Sequence, residues 1–443
     1  MKTVLFAFVL AAIIPAQDVV APAAHLQRIT AEALKADVHF LASDELEGRA
    51  TPSPGLDKAA AFLAERHEKL GLKPLFGNAR LEGPMRPDTS AASARLTHAG
   101  GVLALGAERF LNTASQPLQL KQLAVLPAEA PDNASSEGST ASVLLHAGPI
   151  TRDALARLAR RRPAAILVTE PPAELPRLRM PLLRLTPEEA AQCTAGTHME
   201  LTIPEGKERF ASNVGSFLPG SDPVLKDSAL LVTAHYDHIG TGPPVDGDRI
   251  RNGADDDASG TSAALAVAFA LKDRPLKRSV LFVHFYGEES GFLGSRRFVE
   301  HPPWPLKNMD AMFNLEMVGR PDDIGKDCAW VTGWTLSDFG ARVAAVSATQ
   351  GIRCYEHPRL SKMLFGGSDN FPFAEKGVVA HSISAGSLHK QYHQPGDEAS
   401  TLDYENMARV VRGIAAAVEA MANDAVAPAF KPGTNWAEAA ARR

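Results

Sequence analysis

Two short apolar runs, Leu230–Ala234 and Val280–Tyr286, constrain this chain more than any other feature. Each is dense in Val, Leu, Phe or Ala, without alternating polar positions, and so suits a strand buried on both faces. Each also stops at ionisable residues: the first at His235-Tyr236-Asp237, the second at Glu288-Glu289. Ala311–Leu315 and Val378–Ser384 read as further strands, and Ser259–Leu271, Asp338–Thr349 and Tyr404–Ala422 as helices. Repeated strand–helix units predict an α/β fold with a central mixed sheet, mostly parallel and flanked by helices.

A chain of 443 residues exceeds one ordinary domain, and its texture changes along its length. Residues 18–92 carry helical stripes, Ile29, Leu34, Val38 and Leu41 in one and Ala59–Leu70 in another, around a turn-like Leu46-Glu47-Gly48-Arg49-Ala50. Residues 93–208 hold short β-type runs (Val102–Leu105, Ala141–Leu145, Ala164–Thr169, Met199–Ile203), one amphipathic helix near Thr151–Arg162, and no cluster of His with acids. They read as an inserted β-rich, non-catalytic domain, leaving 209–425 as the catalytic part and 426–443 as a tail. Beyond Asn423 this Pro/Ala-rich tail is expected to be poorly ordered. At the other end, Lys2 precedes an apolar run from Val4 to Ile14 and small Ala16 follows, the pattern of a secretory signal over residues 1–17. Such a run is too short for a bilayer, which needs about 20 apolar residues, and no later segment is apolar enough for a membrane span. The expected location is therefore secreted or periplasmic. A formal net charge of −5 without a long basic run argues against nucleic acid as a partner. Cys193, Cys328 and Cys354 form no CxxC pair, which disfavours a thiolate zinc site and leaves either one disulfide or free thiols.

The chemistry-bearing residues gather where the strands end. A neutral imidazole is a good ligand for a borderline metal, and His235 has Asp237 two residues on to orient it. Asp255-Asp256-Asp257 precede a helix, where consecutive acids are costly unless a cation or helix amides compensate them. Glu288 and Glu289 follow a buried strand, and their diverging side chains suit two jobs, a proton acceptor and a metal ligand. Glu316 ends another apolar run, and His393 stands just before the last helix. Each motif alone also has a structural reading, such as an Asp-rich helix cap. All of them in one domain, each near a strand end, point to a metal site.

The stretches AHYDHIG, NGADDDASG, FYGEESGFLGS, NLEMVGR, GGSDNFPF and YHQPGD make the chain resemble the zinc aminopeptidase family of co-catalytic metallopeptidases, peptidase family M28. The resemblance covers about residues 210–422, extends loosely to the Glu47-Gly48-Arg49 segment, and fits an inserted protease-associated-like domain at 93–208. It implies two zinc ions, replaceable by other divalent metals, with His235 and Glu316 on one, Glu289 and His393 on the other, and Asp256 bridging both. It further implies Asp237 as the partner of His235, Glu288 as general base, and a cis peptide at Asp256–Asp257. The substrate implied is a peptide or protein that loses its N-terminal residue. Two departures stand out: Glu316 where many relatives have Asp, and Asn370 where they often have His. His238 and His389 are expected beside the ligands or in the pocket. A carboxypeptidase or dipeptidase on the same scaffold would need a basic pocket, for which Arg320 and Arg359 are candidates. An aminopeptidase needs an acid to hold the free amine, for which Glu288 or Asp369 would serve. A single-zinc cyclase relative or a receptor-like relative is disfavoured because the ligand set is complete.

Overall fold

In the computed structural model, strand β2 (Ala229–His235) lies in the middle of a nine-stranded sheet. Around it run β1 (Ala211–Leu218), β3 (Ser279–Phe285), β4 (Met309–Leu315), β5 (Cys328–Val331), β6 (Arg353–Tyr355) and β7 (Val379–Ser384), in the order β1-β3-β2-β4-β7-β5-β6. The short strands Lys73–Pro74 and Arg80–Gly83 both pair with β1. The central strands β3, β2, β4 and β7 are mutually parallel, whereas β1 and β5 join them antiparallel. The sheet is thus mixed with a parallel centre. The described residues are 23–434 apart from 77–79, 84–91, 113–117, 130–141, 173–174, 176–177, 179, 204–210 and 322. The signal-like segment lies outside them.

Alternation within the apolar runs explains why the centre is buried on both sides. Leu230 and Val232 of β2, with Val280 and Phe282 of β3, enter one apolar cluster, while Leu231, Leu281, Val283 and Phe285 enter another. Helices α1 (Ala31–Leu41), α2 (Pro54–Lys69), α3 (Gly260–Leu271), α5 (Phe339–Ala348) and α6 (Tyr404–Asn423) pack into the first cluster, and α4 (Leu293–Glu300) into the second. Thr30 caps α1 by accepting from Ala33 N, and Ser53 caps α2 ahead of Pro54, whose ring suits a first helical turn.

The chain divides into two units, Met1–Gly83 with Phe210–Arg443, and Pro84–Arg209. The second has its own eight-stranded sheet and apolar cluster, with the helix Arg152–Arg160 following the strand Ser142–Pro149. The sheet around β2 and every motif named above belong to the first.

One expectation is corrected, and one open alternative is decided. The stretch after Asn423 is not loose as far as Thr434. Asp338 N donates to Ala429 O (3.1 Å), Lys431 N donates to Leu336 O (2.9 Å), and Phe430 packs against the main cluster. Proline and alanine here follow an extended path whose backbone groups find partners. The thiols are free: Cys328 and Cys354 lie on neighbouring strands, yet one is opposite Arg353 and the other opposite Ala329, so their side chains enter different clusters.

Candidate metal centre

Parallel pairing brings the carboxyl ends of β2, β3, β4 and β7 to one edge of the sheet, the edge where α/β sheets collect ligands. His235 is the last residue of β2, and Thr233 pairs in register with Asn314, so two residues further on His235 and Glu316 stand side by side. Their Nε2 and Oε1 atoms are 3.3 Å apart. Glu288 and Glu289 follow β3, and His393 lies in the loop after β7.

The three aspartates sit in a turn before α3 whose Asp256–Asp257 peptide is cis. Gly253 opens the turn at φ 58°, and a Cβ there would meet Asp256 O at 2.3 Å and His238 Cγ at 2.5 Å, so only glycine fits. Asp257 takes backbone donors on both oxygens, Gly260 N (3.1 Å) and Met317 N (3.0 Å) on Oδ1 and His235 N (3.3 Å) on Oδ2. Asp255 Oδ1 accepts from Gly319 N at 2.8 Å. Asp256 alone is aimed at the histidines: Oδ1 is 3.2 Å from His235 Nε2, and Oδ2 is 3.1 Å from His393 Nε2. Glu289 Oε1 completes the far side, 3.1 Å from His393 Nε2 and 2.9 Å from His238 Nδ1.

His235, Asp256, Glu289, Glu316 and His393 are therefore brought together, and His238 joins them. His238 was legible in the sequence only as a histidine in the His235 motif; its place against Glu289 depends on the chain turning after β2. Asp397 is another residue that sequence reasoning passed over, although it ends the Tyr392–Asp397 motif: its carboxylate accepts from Asp255 N and Asp256 N (3.1 Å each) and so holds the aspartate turn. His389 stands away from the centre, 3.4 Å from Asp255 Oδ2.

These groups fit a cation. Asp256 Oδ2, Glu289 Oε1, His393 Nε2 and both ring nitrogens of His238 are buried and satisfied by no aligned hydrogen bond, although several lie about 3 Å apart. Converging unpaired donor atoms of this kind are costly unless an ion coordinates them. Mixed imidazole and carboxylate ligands suit zinc. A second grouping, His235 with Glu316 and Asp257, adjoins the first, but Asp257 is committed to backbone donors.

The supporting contacts are specific. Asp237 Oδ1 lies 3.5 Å from His235 Nδ1 and accepts from Glu288 N at 3.1 Å. Glu316 Oε2 accepts from Ser368 Oγ (2.6 Å), which accepts from Asn314 Nδ2 (2.9 Å); the same amide reaches Ser382 Oγ, which donates to Asn370 Oδ1. Asn370 is thus the far end of a network that begins at Glu316, the other residue named above as a departure from the resemblance. Burial pushes the Glu288 carboxyl well above its usual range, opposed by His235 and reinforced by Glu289 and Glu316. Burial would raise Asp256 too, but hydrogen bonding by His235 and His393 holds it well below.

A cavity of about 60 Å³, open to solvent, adjoins the centre and is lined by Asp256, Glu288, Glu316, Met317, Trp330, Leu364, Leu388 and Tyr392 among others. Trp330 donates its indole N–H to Gly386 O (2.6 Å) and so presents its ring as a wall. No arginine or lysine is among the described residues that line it. Arg320 is paired with Asp397 at 3.2 Å, and Arg359 is exposed.

Residues 213–418 match the model of peptidase family M28. The aminopeptidase YwaD of Bacillus subtilis is 30% identical over 205 residues, covering 43% of this chain and 40% of that protein. A probable zinc metalloprotease of Pyrenophora tritici-repentis is 25% identical over 288 residues, covering 54% of this chain and 65% of that one. The chain thus spans well under two thirds of the length of the Bacillus relative. Among solved structures, a zinc aminopeptidase from Bacillus subtilis superposes with a TM-score of 0.65 at 21% identity, covering 92% of this chain and 99% of the other. An aminopeptidase from Aneurinibacillus sp. strain AM-1 gives a TM-score of 0.56 at 18% identity, covering 92% and 96%. These likenesses show a shared fold. Residues 213–418, just under half of the chain, are thus the part that is similar to peptidase family M28.

Proposed function

We propose that the protein is a metallo-aminopeptidase, with two zinc ions held by His235, Glu316, Asp256, Glu289 and His393. The observation that carries this reading is the Asp256 carboxylate, whose oxygens face His235 Nε2 at 3.2 Å and His393 Nε2 at 3.1 Å. One carboxylate between two imidazole sites is what a bridging ligand requires. Zinc bound there would act as a Lewis acid, polarising the scissile carbonyl and making a water more acidic. The remaining work falls to the protein. Glu288 accepts the proton of the attacking water as the new C–O bond forms, and then delivers it to the amide nitrogen, so that the C–N bond breaks and the amine departs. Its raised proton affinity suits both halves of that transfer. Asp237 partners His235 Nδ1 through its main-chain carbonyl (3.1 Å) and accepts from Glu288 N through its carboxylate (3.1 Å), linking the ligand to the base.

The cavity favours an aminopeptidase over a carboxypeptidase. A free C-terminal carboxylate needs a cation, and Arg320 is already committed to Asp397. A free amine finds acids instead, Glu288 lining the cavity and Asp369 buried beyond it. The Trp330, Leu364 and Leu388 walls suit an uncharged side chain. Export belongs to the same reading, on the strength of the apolar run at residues 4–14. The test is metal analysis together with turnover of matched peptides bearing free and acetylated N-termini. Two equivalents of zinc and cleavage of the free peptides alone are expected; rapid cleavage of acetylated peptides would exclude an aminopeptidase.

A further inference from the structure

The loop between α1 and α2 contributes no metal ligand, yet its contacts run to the centre from two directions. We infer that Arg49 and Thr51 are positioning residues of the metal centre, an inference that rests on the metallopeptidase reading above. Arg49 is fully buried, and its guanidinium forms no ion pair within 4 Å of a carboxylate among the described residues, although Asp237, Asp256, Asp257 and Asp397 lie near enough to favour its charge. Its guanidinium donates to backbone carbonyls only: Nε to Tyr236 O (2.9 Å), Nη1 to Leu41 O and to Asn252 O (2.6 Å), and Nη2 to Gly253 O (3.0 Å). Tyr236 stands between His235 and Asp237, and Asn252-Gly253 opens the turn that presents Asp256. One planar fork therefore fixes two of the ligand-bearing segments, those of His235 and Asp256, which a lysine with its single point of attachment cannot do.

Thr51 acts on a side chain. Its hydroxyl donates to Asp237 Oδ2 at 3.0 Å, while Asp237 Oδ1 accepts from Glu288 N and faces His235 Nδ1. A carboxylate held on both oxygens has one orientation; this one stands 3.5 Å from His235 Nδ1, whose hydrogen-bond partner is the Asp237 main-chain carbonyl (3.1 Å), so fixing Asp237 steadies the ligand ring.

The backbone adds a second, independent sign that the loop is held to the centre. Glu47, Gly48 and Arg49 follow one another at φ 47°, 69° and 47°. Left-handed conformations at non-glycine residues are costly and persist only where the surroundings over-determine them. Here His238 N donates to Arg49 O (3.1 Å) and Gly240 N to Gly48 O (3.0 Å). A Cβ at position 48 would meet Arg251 O at 2.4 Å. The loop is thus laid against the segment 236–240 through its own main chain.

The experiment is zinc affinity of the full chain, measured by competition with a chromophoric chelator, alongside urea unfolding, kcat and KM. Thr51→Val keeps the shape and removes the hydroxyl; zinc binding about 10–100-fold weaker is expected, with kcat lowered more than KM is raised. Thr51→Ser should restore both. Arg49→Lys should weaken zinc binding by a similar factor, and Thr51→Ala gives the hydroxyl readout again if valine disturbs packing. Wild-type protein that binds zinc while Thr51→Val binds it equally well overturns the inference alone. Equal weakening in Thr51→Val and Thr51→Ser overturns the role of the hydroxyl. Wild-type protein that binds no zinc overturns the metallopeptidase reading and this inference with it.

Discussion

Asp255, Asp256 and Asp257 are chemically identical, and only the backbone distinguishes what each can do. Asp257 and Asp255 spend oxygens on backbone amides of the segment after β4, which leaves Asp256 facing two imidazoles. The adjacent glutamates divide in the same way. Glu289 is packed against His238 and His393, whereas Glu288 lines the cavity and is kept ready to hold a proton by burial. Glu288→Gln should therefore retain as much zinc as the wild type and lose at least about 10²-fold in kcat, the usual worth of a positioned acid–base group. Metal analysis beside steady-state kinetics checks this, and near-normal turnover would assign the base elsewhere.

At the scale of elements, β7 shows how a buried strand tolerates a titratable group. His381 sits fully buried in it, Nδ1 2.7 Å from Thr332 O and Nε2 2.7 Å from Ser337 Oγ. Burial lowers its pKa from 6.5 to about 4. The unfolded chain then binds more protons than the folded one between those values, so this contribution is complete above about pH 6.5 and is lost as pH falls toward 4. Glutamine cannot titrate. The stability advantage of the wild type over His381→Gln, from urea unfolding, should accordingly shrink by about 1.4 kcal/mol per pH unit between pH 6 and 4.5. An advantage independent of pH would show that the imidazole charges without penalty. Ser337 belongs to the same neighbourhood as the tail, bridging to Phe430. That pairing orders the segment after α6.

At the scale of the molecule, the acids at the sheet edge repel one another until cations arrive. Zinc binds the folded arrangement alone, so at a free concentration 100-fold above its dissociation constant it adds about 2.7 kcal/mol. Stripping the metal with a chelator should lower Tm by roughly 3–4 °C at that occupancy, and adding zinc back should restore it. A melting curve indifferent to chelator would mean the cluster holds no ion. Much of this was legible in the linear chain. Apolar runs ending in His235, Glu288 and Glu316 announced buried parallel strands with ionisable ends, because continuous burial and abrupt polarity both leave marks in composition. Strands β1, β5 and β6 left no such mark: Asn213 and Ser216 in β1 are buried as polar groups, made tolerable only by partners such as Gly294 O and His67, far off in sequence. His238 against Glu289, Thr51 against Asp237 and Asn370 at the end of the Glu316 network were equally beyond reach, as was the ordering of the tail. The sequence by itself determined the strand pattern and which residue types meet at the sheet edge, since these follow from local burial and chain direction. Which oxygen faces which nitrogen, and which distant loop steadies it, was decided only by the tertiary structure, because such contacts depend on where separate segments are placed to within an ångström.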